Sequence, residues 1–515
     1  MKKFIRRASI VAASSIASRI TGLIRDMIMA ALFGATASAD AFYAAFRIPN
    51  LVRRFTAEGV LTVSYIPVYM EYSINKGREE ALELAQKTLT LLLVVLTALV
   101  VLGMIFAPGI VSIIAAGFDD RLQIHSTVVM TRIMFPYIFL VVVLAFCMGV
   151  LNAHNYFFAP AFALVLLNIG ILSGIFFFSG FLEDPLYGVC AGVLFGGLMQ
   201  ILLQIPFLAR TGFRIKWSFD LKHPGVRRIF KLAAPGAFCM GIQQVNILAA
   251  TVLGSFLPIG SISYIYFSDR LHELVLGIFA VSIGNAVMPE MSALAAVRNY
   301  AKLVDVYVLS IKSVLFFAIP ATVALMVIGF PIISVILMHN NFTAFEADMT
   351  YQALFYASAG IASVAVNRIT VPTFFALNDS RTPFFAAIAS FIINGLCGYF
   401  FMHTPLKHAG LTLSVAIAAT AQMLVLVLSL RKKIGDIGLT EISKSLVKYM
   451  LAAGIMGVVI WLMAGLIDWR TADLMKRLLC LMLVILSGGA IYLISCYIIR
   501  VSEVRSFIGK LLKRR

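Results

Sequence analysis

Apolar residues run along this chain in unbroken stretches of about 20, each long enough to cross a ~30 Å hydrocarbon core as a helix. The stretches recur from one end of the sequence to the other. They do not alternate apolar and polar at every second position, which excludes a membrane β-barrel. Fourteen of them predict spans at about 8–33, 40–71, 82–115, 125–151, 157–180, 186–210, 228–256, 261–296, 303–338, 349–376, 383–402, 408–430, 443–467 and 476–499. The pattern therefore predicts an all-α polytopic membrane protein with about 14 transmembrane helices.

The polar residues between spans alternate in sign. Lys2, Lys3, Arg6 and Arg7, the loop with Lys76 and Arg78, the connector "RTGFRIKWSFDLKHPGVRRIFK", the "RKK" at 431–433 and the tail "KLLKRR" are basic. Basic loops stay in the cytoplasm. The intervening "GATASA", "GFDDR", "FLEDP" and "NNFTAFEAD" are neutral or acidic and are expected outside. An even span count puts both termini in the cytoplasm, as the charges of the two ends require.

Composition sharpens this picture. Of 515 residues 61% are hydrophobic and 13% charged, against roughly 25% charged in a soluble domain. The net charge of +18 could suit nucleic acid, but the cations are spread over alternate loops, so no nucleic-acid partner is expected. The cysteines at 147, 190, 239, 397, 480 and 496 lie in apolar segments without CxxC spacing and read as packing residues. The seven histidines show no metal-ligand spacing, so neither a metal nor a cofactor is expected. Residues 1–17 resemble a signal peptide, yet the apolar run continues past Arg19 and Asp26 to about Gly34, as one long helix would.

Prolines expose an internal duplication. Pro67, Pro108 and Pro160 recur as Pro289, Pro331 and Pro383, at an offset of 222 to 223. "APGIVSII" at 107–114 echoes "FPIISVI" at 330–336, and "RRASIVAA" echoes "RRIFKLAA" at 227–234. Such an offset holds six spans, so both copies start on the cytoplasmic side, a parallel repeat of the kind found in alternating-access transporters. The expected organisation is an N-terminal lobe at 1–215 (spans 1–6) and a C-terminal lobe at 216–440 (spans 7–12), facing a central cavity. Residues 441–515 add two helices and a basic cytoplasmic tail.

Charged residues interrupt some of these spans. "SRITGLIRD", residues 18–26, carries Arg19, Arg25 and Asp26; span 2 carries Asp40, Arg47, Arg53, Arg54 and Glu58; span 8 carries Asp269, Arg270 and Glu273. An arginine at a helix centre costs roughly 2.5–3.5 kcal/mol on the insertion scale, so these residues are expected to face the cavity. Bland readings exist. Arg54 with Glu58, Asp269 with Glu273 and Arg270 with Glu273 have the spacing of pairs within a helix, and Arg25 could snorkel to the outer interface. Arg19, Arg53 and Arg270 have too few local acids for that. Their excess positive charge calls for an anion, and the guanidinium fork suits a phosphate or diphosphate. Gly22 and Pro49 fit bending helices. A P-loop is absent from the sequence, so ATP is not the direct drive.

"SRITGLIRD", "FGATASADAFYAAFRIPNLVRRFTAEG", "SYIPVYMEY", "PYIFLVVVLAFCMGVLNAHNYFFAPAF", "APGAFCMGIQQVN" and "DSRTP" closely resemble the MurJ (MviN) family of lipid II flippases, within the multidrug/oligosaccharidyl-lipid/polysaccharide exporter superfamily. The resemblance covers essentially the whole chain. It implies a transporter rather than an enzyme, one that moves the undecaprenyl-diphosphate-linked disaccharide pentapeptide outward across the bacterial inner membrane for peptidoglycan synthesis. Lipid II and membrane lipids are the implied partners, and function as a monomer is expected. By the same resemblance Arg19, Arg25, Arg53 and Arg270 bind the diphosphate. The resemblance also makes Asp40 and Glu273 cavity acids. Asp26 and Glu58 join them as gating or cavity acids from their place in the charged spans alone, and pairs of Arg53 with Glu58 or Asp40, and of Arg270 with Glu273, are read as gates that rearrange between states. The last two spans resemble the family's groove for the lipid tail. Some members resemble sodium-coupled transporters, but span 7 here has no acid and Phe375 stands four before Asp379, so a sodium site is not expected. Coupling to the membrane potential or to another ion is left open, as are an exporter of another prenyl-diphosphate-linked glycan and a drug exporter of the same superfamily.

Overall fold

The computed structural model describes residues 2–55, 61–213, 216–218, 220, 223–501 and 503. Helices make up all the regular structure among them. They are α1 Lys2–Phe33, α2 Ala37–Phe55, α3 Leu61–Asn75, α4 Arg78–Ile105, α5 Ala107–Ile114, α6 Arg121–Met134, α7 Pro136–Ala153, α8 Phe158–Ser173 and α9 Pro185–Arg210. Then follow α10 Pro224–Ser255, α11 Ser261–Ala296, α12 Tyr300–Ile336, α13 Ala344–Ser358, α14 Ile361–Ala376, α15 Arg381–Met402, α16 Lys407–Ile434, α17 Leu439–Ala464 and α18 Leu474–Ile498. A π turn at Gly174–Phe178 and a 3-10 turn at Ser179–Phe181 extend α8.

The duplication seen in the prolines is written into the helix boundaries. α1 and α10 start at 2 and 224 and end at 33 and 255, an offset of 222 at both ends. α6 and α13 start at 121 and 344, α7 and α14 end at 153 and 376, and α8 and α15 start at 158 and 381, each offset by 223. Breaks recur too. The chain leaves helical geometry at Phe106 (φ −86°, ψ 10°), two residues before Pro108, and at Ile328 (φ −112°, ψ 20°), three before Pro331. A proline inside a helix has no N–H to give the carbonyl four residues back and clashes with it, so a kink one turn upstream follows from the sequence. Asn155 and Asn378 both take positive φ at the ends of α7 and α14.

Ten helices among the described residues are long and apolar enough to cross a membrane, and α13 with α14, bent by 46°, would make an eleventh span. The other three expected spans are not among these. α1 carries Arg19, Arg25 and Asp26, the second span is divided between α2 and α3 with 56–60 outside the described residues, and in α10 the described side chains include a shorter apolar helix at Gln244–Ser255. Three acids of the expected outer loops cap helices. Asp120 and Asp184 accept from Leu122 N (3.1 Å) and Leu186 N (2.9 Å), and Thr343 and Glu346 form a capping box on α13.

The chain divides into two compact units: one runs through Ile262 apart from Ala30–Ala35, and the other begins at Ser263 and takes in Ala30–Ala35. In the first, α8 and α9 pack backbone to backbone: a Cβ added at Gly170 would lie 2.2 Å from Gly196 Cα, and one at Gly174 would lie 2.7 Å from Gly192 Cα. In the second, α17 and α18 lie against α12. Tyr492 Oη donates to Phe316 O at 2.8 Å, Arg477 Nη1 donates to Ser334 O at 2.8 Å, and Lys312 Nζ meets Glu441 at 2.9 Å and Glu503 at 3.1 Å. Cys147, Cys190 and Cys496 are buried and unbridged, in keeping with packing roles.

Candidate functional site

α1 passes through the charged stretch without a break, and its three charges meet different fates. Arg25 and Asp26 are 7% and 5% exposed. Arg25 Nε and Nη2 both donate to Asp26 Oδ1, at 3.0 and 2.7 Å, and Nη1 donates to Asn168 Oδ1 of α8 at 2.9 Å. Asn168 Nδ2 in turn donates to Ser18 O and Thr21 Oγ1, both at 3.1 Å. Snorkelling, one sequence reading of Arg25, is thus overturned: the side chain turns inward and ties α1 to α8. Arg19 is half-buried and makes no hydrogen bond or ion pair with the described residues. It lies seven residues from Asp26, two turns down the same face.

In α2, Asp40 is 2% exposed, and its Oδ2 accepts from Gly260 N at 2.7 Å. Gly260 has φ +92°, a conformation open to glycine in the turn ahead of α11. Asp40 also sits in the first turn of its own helix, where the N-terminal dipole favours a carboxylate. Arg53, in the last turn, is half-buried, with Nε and Nη2 donating to Asn50 Oδ1 at 3.2 and 3.1 Å. The expected pairing of Arg53 with Asp40 does not occur. Thirteen residues at 1.5 Å each put them about 20 Å apart along one helix. Glu58, the other expected partner, lies outside the described residues.

In the second unit, Arg270 of α11 is held by its own helix. Nη2 donates to Tyr266 Oη at 3.0 Å, the guanidinium carbon lies 4.8 Å from the Tyr266 ring centroid, and Nη1 is 3.5 Å from Glu273 Oε2. That last distance is longer than the 2.7–2.9 Å of a tight charge-assisted bond. The side chains of Arg270 and Glu273 are 28% and 42% exposed. Arg270 pairs with Glu273 as expected, on a surface that solvent reaches.

Three polar partners escaped the sequence reading. Asn50 is three residues before Arg53 and Tyr266 four before Arg270, so helical spacing could have flagged both. Asn168 is 143 residues from Arg25 and has no local signal. Arg368, on the exposed side of α14, is a further cation within an apolar helix of the second unit.

These features have close counterparts. Residues 29–480 match the family described as lipid II flippase MurJ. The chain belongs to that family. A lipid II flippase MurJ of Burkholderia cenocepacia is 32% identical over 467 residues, covering 89% of this chain and 88% of that one. A solved lipid II flippase MurJ in an inward closed conformation superposes with a TM-score of 0.80 at 26% identity, over 98% of this chain and 99% of that one. An inward-facing multidrug resistance transporter of the MATE family reaches a TM-score of 0.71 at 15% identity, covering 85% of this chain and 99% of that one, and shares the fold. The MurJ family membership and the apolar helices together make this a multi-pass membrane protein.

Proposed function

We propose that this protein is a flippase of the bacterial inner membrane, a transporter and not an enzyme, which carries lipid II from the inner to the outer leaflet by alternating access. The match to the MurJ family over residues 29–480 carries this reading. The chemistry of the charges supports it: arginines placed within membrane helices suit a diphosphate and repel the cationic drugs that related exporters would carry.

In this reading the chain crosses fourteen times with both termini in the cytoplasm, as two six-helix lobes followed by α17 and α18, which guide the prenyl tail. It works as a monomer. Arg19, Arg53 and Arg270 are the standing ligands of the diphosphate. Arg25 reaches it only by releasing Asp26, which makes that pair a switch, and Glu273 takes back Arg270 when the substrate leaves. Asp40 acts through the turn at Gly260. An inside-negative potential assists export of an anion by about 2.3 kcal/mol per charge per 100 mV.

The test is complementation of a bacterium whose own lipid II flippase is switched off. Wild-type chain restores growth. Failure of a correctly inserted wild-type chain to do so, with intact export of another prenyl-linked glycan, would overturn the assignment.

A further inference from the structure

Arg132, in the last turn of α6, has no place in the mechanism above. Pro108 lacks the amide that would bond the carbonyl of Met104, one turn back in α4, and Arg132 Nε fills that vacancy at 3.2 Å. This uses one of five guanidinium donors. The two terminal amino groups make no hydrogen bond or ion pair with the described residues, and the side chain is exposed. An exposed arginine on a membrane helix needs a counter-charge or water within reach.

A groove starts beside it. Between α4, α7 and α9 a depression of about 340 Å³ is lined by Val101, Pro136, Leu140 and Leu198 among others. It shares Thr97, Val101 and Phe139 with a larger one of about 780 Å³, which continues along α4 through Val94 and Leu93 to Trp217.

Pro136 is four residues from Arg132 and Val101 three from Met104, so the guanidinium stands at one end of both walls. Eleven residues of α4 separate Leu93 from Met104, about 16 Å of helix, close to one leaflet of a ~30 Å hydrocarbon core. At the far end Trp217 is held by its neighbours: Ser218 N donates to Thr90 Oγ1 at 3.2 Å, and Asp220 pairs with Lys87 at 3.2 Å.

We propose that this groove binds a phosphodiester-headed diacyl lipid, with its phosphate on the terminal amino groups of Arg132 and an acyl chain along α4 toward Trp217. The groove's length matches a chain, its walls are apolar, and the free face of the guanidinium fits a phosphate fork. The site rests on the chain spanning a membrane and is independent of lipid II transport. By the loop charges the Arg132 end of the groove points toward the outer side and the Trp217 end, in the basic connector, toward the cytoplasmic side.

Native mass spectrometry of the full-length protein, stripped of lipid and titrated with dioleoylphosphatidylglycerol or dioleoylglycerol, tests it. Wild type is expected to hold the phospholipid more tightly than the diacylglycerol. Arg132→Gln, which keeps a donor for the Met104 carbonyl, should weaken phosphatidylglycerol about 10-fold and leave diacylglycerol unchanged. Arg132→Lys should fall between, having lost the fork, and Val101→Trp should weaken both lipids. Circular dichroism and a monodisperse elution profile report that each variant is folded. Phosphatidylglycerol binding by Arg132→Gln at wild-type strength would overturn the proposal, and so would equal loss of both lipids in that variant.

Discussion

In the first unit Arg25 and Asp26 are sealed from solvent and locked to Asn168, whereas in the second Arg270 lies on a half-exposed helix face, 3.5 Å from Glu273. Both arginines interrupt apolar helices, and the family resemblance assigns both to the diphosphate. Their surroundings separate them. A buried pair whose hydrogen bonds are met by a neighbouring helix holds two helices together, and removing one member strands a charge. An arginine whose carboxylate sits at long range on a half-exposed face can exchange that carboxylate for a phosphate at lower cost than a buried pair can. Arg19, without a partner among the described residues, resembles Arg270 in this respect more than it resembles its neighbour Arg25.

The largest effect expected from this contrast is on transport. Arg19→Ala and Arg270→Ala should each reduce lipid II flipping by roughly 100-fold or more in reconstituted vesicles while the protein inserts normally, as the loss of two charge-assisted bonds would give. Lysine at either position should recover only part of it, since a point charge cannot replace the fork. Near-normal flipping by both alanine variants would erase the distinction.

Asp26→Ala should act on stability instead. Leaving Arg25 buried without its carboxylate should cost about 3–5 kcal/mol, read as a lower midpoint in thermal unfolding in detergent. Asn168→Ala, which removes one acceptor of Arg25 and two bonds back to α1, should cost about 1–3 kcal/mol. Arg270→Ala should shift the midpoint far less than either. A midpoint for Asp26→Ala equal to that of the wild type would mean the pair is not a structural tie.

Asp379, in the loop between α14 and α15, gives a smaller, pH-dependent effect. Burial alone would raise its pKa, but hydrogen bonds from Lys433 and Thr382 outweigh that and bring it from 3.8 to about 2. A depressed folded value means that its stabilisation is present above about pH 4 and is lost as pH falls toward 2. Asp379→Asn should therefore cost about 1 kcal/mol at pH 7 and nothing near pH 2. A cost that persists at acid pH would assign the effect to packing.

The limits of the sequence follow from where each signal resides. Apolar runs mark helices directly, and the proline offset that marks the duplication recurs in the breaks at Phe106 and Ile328, because a proline acts on its own helix one turn away. The partners of Arg53 and Arg270 obey helical spacing and were readable in principle. Asn168 and Gly260 were not: each meets its charge across the fold, over 143 and 220 residues. The pairing of Arg53 with Asp40 failed for a related reason, since proximity in a list of charges ignores the rise of the helix between them.

Topology offers a finer check. Cysteines placed at residue 36 and at residue 432 should react with an impermeant thiol reagent from the outer and the cytoplasmic side respectively; reaction from one side at both would contradict the fourteen-span reading. The central claim is the direction in which lipid II moves. Depleting this protein from growing cells and assigning accumulated lipid II to a leaflet measures that directly. Accumulation on the cytoplasmic face is the expected result, and accumulation on the outer face would contradict the account.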